Sequence, residues 1–433
     1  MSKQMHLLSF LTHSPINHTT LSWADPKDQR IAGFRDLNYW MNLARSLERG
    51  LFDGAFFADT LGGFEHYRER FHEAMQYAVW WPTHDPMPLM SVMAAATKHL
   101  GLAATLSLSG THPYLAVRTF GTLDNLTNGR IGWNIVTGNL RGEHRALGHE
   151  QMDHDERYER AEEYMALCQK FWSGVPPEAV MVDRAQGIFA DPDQITLVKH
   201  DGKYFRSNTA PPTFPSPQGR PVLFQAGSSG RGQKFAVRWA DAVFCIQPNA
   251  AAIKKLRLSL EEAAAGEAPV RLTAGLHVVL GGTEAEAQRK YRELVDRIPI
   301  EAALTRLSGS LGVDFSKFEL DKPLQEMYTD ASQGLMKSAM IAVAGGEATL
   351  REASLRWAVA AGCPPVVGTP EQVAAKMEAM WRESGCYGFN ITPSVTPEYI
   401  DDFADHVVPL LQARGIYRRE YTGKTFRDNL LEE

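Results

Sequence analysis

Eight times along this chain a short apolar run is followed by a stretch with helical spacing. That alternation limits the fold more than any other feature. Parallel strands covered by helices on both faces read as near-continuous apolar runs, not as alternating ones. The runs lie at residues 5–11, 54–58, 101–108, 130–138, 221–227, 241–247, 272–281 and 387–393. Helices are expected at 35–50, 86–99, 113–126, 155–172, 250–265, 283–297 and 397–412, with another directly after the fifth run. The class is α/β, and a closed (β/α)8 TIM barrel is the leading architecture. An open doubly wound sheet is the rival, but no GxGxxG follows the first run.

A chain of 433 residues suits one such barrel with insertions. The expected organisation is a single domain, 1–433, with insertions at about 174–220 and 298–370. The larger lies between the seventh and eighth strands, and the smaller is expected to hold a hairpin within residues 195–205. Lys and Arg number 45 against 51 Asp and Glu, a net charge of −6. That balance argues against nucleic acid or an anionic membrane as a general partner. The opening apolar run is too short for a signal peptide, and no run approaches the ~18 residues of a membrane span. The expected location is cytoplasmic. Cys168, Cys245, Cys363 and Cys386 form no CxxC pair, so reduced, buried thiols are expected.

In a TIM barrel, function gathers where strands end and loops begin. Those positions hold Asp59 after the second strand, Thr105 in the third, and Asn134 and Thr137 in and after the fourth. The fifth strand runs into Gly227-Ser228-Ser229-Gly230-Arg231. A small-residue turn that opens a helix offers free N–H groups to a phosphate. It reads equally as a tight turn with a Ser cap. His154 and Tyr158 lie four apart at a helix start, as a pair lining a ligand or as a surface His beside a half-buried Tyr. Glu159, Glu162 and Glu163, with Arg157 and Arg160, read as the solvated face of that helix. His13, His18 and Trp23 after the first strand, and Tyr77, Trp80, Trp81 and His84 after the second, suggest a pocket for a flat or apolar ligand, or loop packing. His13 and His18 have no third ligand at convincing spacing, so no metal is expected.

Three ordered segments, GRIGWNIVTGN at 129–139, HDERYERAEEY at 154–164 and FQAGSSGRG at 224–232, together resemble the bacterial-luciferase-like flavin monooxygenases. The similarity runs from MHLLSF to VVPLLQARGIYRREYTGKTFRDNL and is greatest to the branch of nitrilotriacetate, EDTA and dibenzothiophene-sulfone monooxygenases. The resemblance implies reduced FMN (FMNH2) delivered by a separate NAD(P)H-dependent flavin reductase. It implies that dioxygen is activated as a flavin (hydro)peroxide, and that the protein is a dimer or tetramer. It places Asp59, Thr105, Asn134 and Thr137 at the flavin ring, with Asn134, Thr105 and Asp59 as the catalytic candidates. It places His154 and Tyr158 at the ribityl–phosphate side, and Gly227, Ser228 and Ser229 at the phosphate. Trp133 and Phe57 are expected to pack the flavin wall. His13, His18, Trp80 and Trp81 are the candidate substrate pocket. The expected substrate is a small organic, aromatic or heterocyclic molecule, with C–S, C–N or C–halogen cleavage among the outcomes. Two departures fall near that pocket: Leu140-Arg141-Gly142 follows the WNIVT segment, and the loop after the first strand reads THSPINHTTLSW. A deazaflavin-dependent oxidoreductase and a non-catalytic flavin-binding protein are the alternatives.

Overall fold

A computed structural model describes residues 4–138, 140–226, 230–266, 271–324 and 348–431. Eight parallel strands follow the apolar runs: β1 (His6–Thr12), β2 (Gly54–Ala58), β3 (Gly101–Ser107), β4 (Ile131–Val136), β5 (Val222–Gln225), β6 (Ala242–Cys245), β7 (Leu272–Leu280) and β8 (Gly388–Thr392). Each pairs with the next, and β8 returns to β1 with His6 opposite Gly388, so the sheet is a closed barrel. The (β/α)8 expectation holds.

Strand parity sorts every side chain. Leu8, Phe10, Phe56, Ala103, Val222, Phe224, Ala242 and Phe244 face inward as one apolar cluster. Leu7, Phe57, Leu102, Trp133 and Leu276 face outward among the surrounding helices. Four inward phenylalanines meet one another: Phe10 and Phe244 have ring centroids 4.8 Å apart, and Phe56 and Phe224 5.3 Å. They fill the barrel and floor whatever lies above.

The covering helices include α1 (Leu37–Arg49), α2 (Met87–Ala95), α3 (Pro113–Leu126), α4 (Arg141–Leu147), α5 (His154–Trp172), α6 (Gly230–Trp239), α7 (Ala250–Ala264) and α8 (Glu284–Asp296). In α1, Tyr39, Trp40, Leu43, Ala44 and Leu47 form the buried stripe, and Asp36 caps the start by accepting from the Asn38 N–H. The segment from Glu398 to Ala413 is expected as one helix but is divided. A π-turn at Phe403–Val407 separates two α-helical pieces. Pro409 has no N–H to offer the turn before it, so the hydrogen-bond ladder changes register there.

Both insertions carry structure. The first holds the expected hairpin, Val198–Asp201 with Arg206–Thr209, and a second one, Val180–Asp183 with Ile188–Ala190. Glu163 anchors the first hairpin by accepting from the Tyr204 and Phe205 N–H groups and by pairing with His200 at 3.0 Å. The second insertion holds α9 (Ile300–Leu311) and α10 (Leu350–Ala360), and α11 (Pro370–Ser384) follows it. It also holds a strand absent from the sequence reading, Pro365–Gly368, paired with the end of β7 from His277 to Leu280.

The C-terminal segment closes the opposite end of the barrel from the strand ends. Phe426 lies against the starts of β2, β3 and β4, where Gly54, Gly101 and Gly132 leave room for its ring. Arg418 bonds the buried Asp53 and donates to the Asn429 carbonyl at 2.8 Å, tying this segment to the barrel. Among the described residues, no helix is long and apolar enough to cross a membrane.

Candidate active site at the barrel mouth

The register of β3 and β4 sets Thr105 beside Asn134, both facing inward above the phenylalanine floor. Asn134 donates from Nδ2 to Thr105 Oγ1 at 2.8 Å, and Thr105 donates on to the Phe57 carbonyl at 2.7 Å. This chain of bonds fixes the amide. Its Oδ1 is then left buried with no hydrogen-bond partner among the described residues. An unpaired buried carbonyl is costly unless a ligand N–H completes it.

Asp59 stands at the end of β2, half-buried, with one carboxylate oxygen accepting from the Thr60 N–H at 2.8 Å. Burial, with Asp85 and Glu143 nearby, raises its pKa to about 7 against the pull of the Thr60 N–H. Glu143 is buried and accepts from Ser109 Oγ. Thr137 is half-buried just past β4.

The loop after β4 is gripped from two sides. Its Gly138 carbonyl accepts from Arg157 Nη1 at 3.0 Å and meets His144 Nε2 at 3.1 Å. Arg160 reaches the Leu108 carbonyl beyond β3 at 2.7 Å. Arg157 and Arg160 are therefore not simply partners on a solvated helix face; each bridges α5 to a strand end. The same helix holds Tyr158, buried against Phe235, and His154, half-exposed beside Asp155. His154 and Tyr158 face each other with centroids 5.1 Å apart. Gly227, Ser228 and Ser229 lie outside the described residues.

The Leu140-Arg141-Gly142 departure has a physical reason. A Cβ on Gly142 would stand 2.7 Å from the Gly63 carbonyl oxygen. The close approach brings Glu65, buried in the β2 loop, between Arg141 at 3.1 Å and Arg145 at 2.6 Å. Two mouth loops are thereby joined by a paired charge cluster.

Three of the four pocket candidates, His13, His18 and Trp80, are buried. His18 stacks on Phe10 with centroids 3.8 Å apart. Burial, reinforced by the Arg306 and Arg30 guanidiniums, holds its pKa well below the usual imidazole value. Trp80 is 8% exposed and stands edge-on to His18 at 6.3 Å. Both ring nitrogens of His13 are engaged by backbone carbonyls, of Asp85 at 2.9 Å and Phe34 at 3.1 Å. Trp81 is 46% exposed. Trp133 and Phe57 do not wall the mouth, because strand parity turns both outward into the helix layer. Among the described residues, no group of three His, Cys, Asp or Glu is placed to hold a metal ion.

The sequence reading missed Arg306. It lies on α9, one turn after Ala302 and Ala303, which pack against the barrel-mouth cluster with Phe10 and Phe244. A Cβ on Gly309 would come within 2.0 Å of the Phe64 ring, so only glycine allows Phe64 this close to the helix. The Arg306 guanidinium then sits 5.6 Å from the Phe64 centroid and 5.0 Å from that of Trp80. One charged residue among small and apolar ones on the inner face of α9 was the available signal.

Residues 9–388 match the luciferase-like monooxygenase family model. The chain belongs to this family. The dimethyl-sulfide monooxygenase of Hyphomicrobium sulfonivorans is 34% identical, over 100% of this chain and 91% of its own. The dibenzothiophene-sulfone monooxygenase of Rhodococcus erythropolis (strain XP) is 34% identical, over 99% and 96%. The crystal structure of a riboflavin lyase with modified FMN and riboflavin has a TM-score of 0.91 at 33% identity, covering 100% of this chain and 96% of that one. The three names carry different substrates at nearly equal identity. Family membership therefore gives the reaction class, and the names do not share a substrate.

Proposed function

We propose that this chain is the oxygenating component of a two-component monooxygenase, with residues 1–433 forming one luciferase-like domain. Reduced FMN comes from a separate NAD(P)H-dependent flavin reductase, and the second substrate is a small organic molecule. The observation that carries the reading is the fixed Asn134 amide, whose buried Oδ1 lacks a donor above an aromatic floor. A flavin ring edge brings N–H donors, and its flat apolar body suits that floor, so the residues fit the cofactor. Asp59, Thr105, Asn134 and Thr137 would hold the ring, and His154 and Tyr158 the ribityl side. Gly227, Ser228 and Ser229 would hold the phosphate. When bound, reduced FMN supplies the electrons that activate dioxygen. The protein's part is to orient the ring, exclude water and keep a proton at Asp59. A cytoplasmic homo-oligomer fits the reductase requirement and the four free cysteines, all buried.

The test mixes FMNH2 bound to the protein with dioxygen in a stopped-flow instrument. Oxidation with a time course and spectrum distinct from free FMNH2 supports the reading. Oxidation identical to free FMNH2, together with hydride transfer when a deazaflavin is supplied instead, would replace it.

Asp59 gives a second expectation. Its carboxyl is raised to about 7, so it is mostly protonated below that pH and ionised above it. A step needing its proton slows as pH rises through about 7. Asp59→Asn removes that limb of the oxidation-rate profile. Infrared difference spectra follow the same proton directly, with a protonated carboxyl signal lost between about pH 6 and 8. An unchanged signal in Asp59→Asn would assign it to another group.

A further inference from the structure

Four arginines are buried among the described residues: Arg30, Arg130, Arg306 and Arg418. Three are tied by the fold to acceptors. Arg30 donates to the Thr12 carbonyl at 2.8 Å, to Asn17 Oδ1 and to Thr396 Oγ1. Arg130 donates to the Ala94 and Thr127 carbonyls and to Thr97 Oγ1. Arg418 has Asp53 and the Asn429 carbonyl. Arg306 is 2% exposed, its buried Nε has no hydrogen-bond partner, and among the described residues no carboxylate pairs with its guanidinium. Burial lowers its pKa to about 9, which leaves it a cation at neutral pH.

A buried cation without a counter-charge is costly, and stacking on two rings offsets only part of that cost. Its neighbour has the same deficit. Among the described residues both ring nitrogens of His18 are buried without a hydrogen bond, and the Leu11 carbonyl lies close without completing one. His18 and Arg306 share Trp80 as a neighbour, and Phe10 lies beneath His18. A positive fork, a neutral imidazole and an aromatic floor therefore stand together at the barrel mouth, supplied by α9 and the loop after β1. The guanidinium geometry matches an oxyanion with two acceptor oxygens.

We propose that Arg306 and His18 form the subsite for one anionic group on the substrate, so that the oxygenated molecule is an organic acid, a carboxylate or sulfur oxyanion whose apolar body rests on Trp80. This rests on the monooxygenase reading above and narrows its substrate class. Arg306 binds through charge and two N–H donors, and His18 donates one N–H to the same group. The fork then fixes which end of the substrate faces the flavin.

The test is calorimetric and needs no turnover. Benzoate and benzenesulfonate are titrated into the FMN-saturated protein beside their neutral counterparts, benzamide and benzenesulfonamide. The acids are expected to bind at least about tenfold tighter than the amides. Arg306→Met is expected to abolish that preference while amide and FMN affinities stay within about twofold, and Arg306→Lys to retain part of it. Equal affinities for acid and amide in the wild type overturn the proposal. So does an Arg306→Met protein that still prefers acids, or one that loses FMN affinity alone, which would assign the guanidinium to the flavin. If Arg306→Met does not fold, the wild-type pairs and Arg306→Lys decide. The acid–amide comparison is repeated without FMN. Failure to bind FMN would then strike the functional reading and leave the subsite comparison standing.

Discussion

Asp53→Asn is expected to cost about 3–5 kcal/mol of stability, the usual result of stripping one partner from a buried ion pair. Asp53 is fully buried below the barrel. Its carboxylate accepts from the Leu7 N–H at 2.8 Å, meets His6 Nδ1 at 2.9 Å and bonds Arg418. An asparagine keeps the shape and some of these bonds but leaves the Arg418 guanidinium without its counter-charge. The C-terminal segment is then held less firmly, while the mouth at the other end is untouched. Unfolding by denaturant at neutral pH measures the loss, and a change below about 1 kcal/mol would refute the account. The pH dependence has a definite sign. Burial pushes the Asp53 carboxyl up, but Arg418 and His6 outweigh it and hold the pKa below the usual carboxylate range. The stability it contributes is therefore present above the unfolded value of about 4 and is lost as pH falls through the lower folded value. The wild type accordingly loses its advantage over Asp53→Asn on acidification. The paired replacement Asp53→Leu with Arg418→Met removes both charges and should recover part of the loss.

What the sequence disclosed, and what it hid, follows from the range of the forces involved. Barrel strands buried on both faces must be apolar throughout, so all eight stand out as runs with ends correct to a few residues. The strand Pro365–Gly368 pairs only with the tail of β7 and sits between prolines and a glycine, which makes it read as a loop. The π-turn at Phe403–Val407 depends on one missing N–H and leaves the apolar spacing largely intact. At the mouth, reading strand ends picked out Thr105 and Asn134, and the register brings them together. Parity was available too: if Asn134 faces inward, Trp133 must face outward, and the same rule turns Phe57 away from the mouth. Arg306 comes from a helix of the second insertion, and Glu143 and Arg157 from the two helices that follow β4. Whether such a charge is solvated or buried depends on tertiary contacts far apart in the chain. No local pattern records that the Gly309–Phe64 approach seals Arg306 from water.

Asn134→Ala is expected to lower the rate of productive oxygenation by about a hundredfold while weakening FMNH2 binding by less than about tenfold. The asymmetry follows from the geometry. In the proposed placement, binding would draw on the whole flavin: the aromatic floor, the ribityl contacts and the phosphate. One amide among these carries a small share, about 1 kcal/mol. The reacting ring edge depends on fixed dipoles aimed at where charge changes, and here the Asn134 amide is held by Thr105 at 2.8 Å, which is itself held by Phe57. Preorganised dipoles in a dry site act with little reorganisation, which is why their loss falls mainly on rate. Thr105→Val should reproduce part of the effect, because it frees the amide to rotate without removing it. Anaerobic titration with FMNH2 gives the affinity, and product formed per FMNH2 oxidised gives the coupling. Equal losses in binding and rate would mean that Asn134 only grips the ring. A smaller rate loss in Asn134→Ala than in Thr105→Val would move the decisive contact to the threonine hydroxyl.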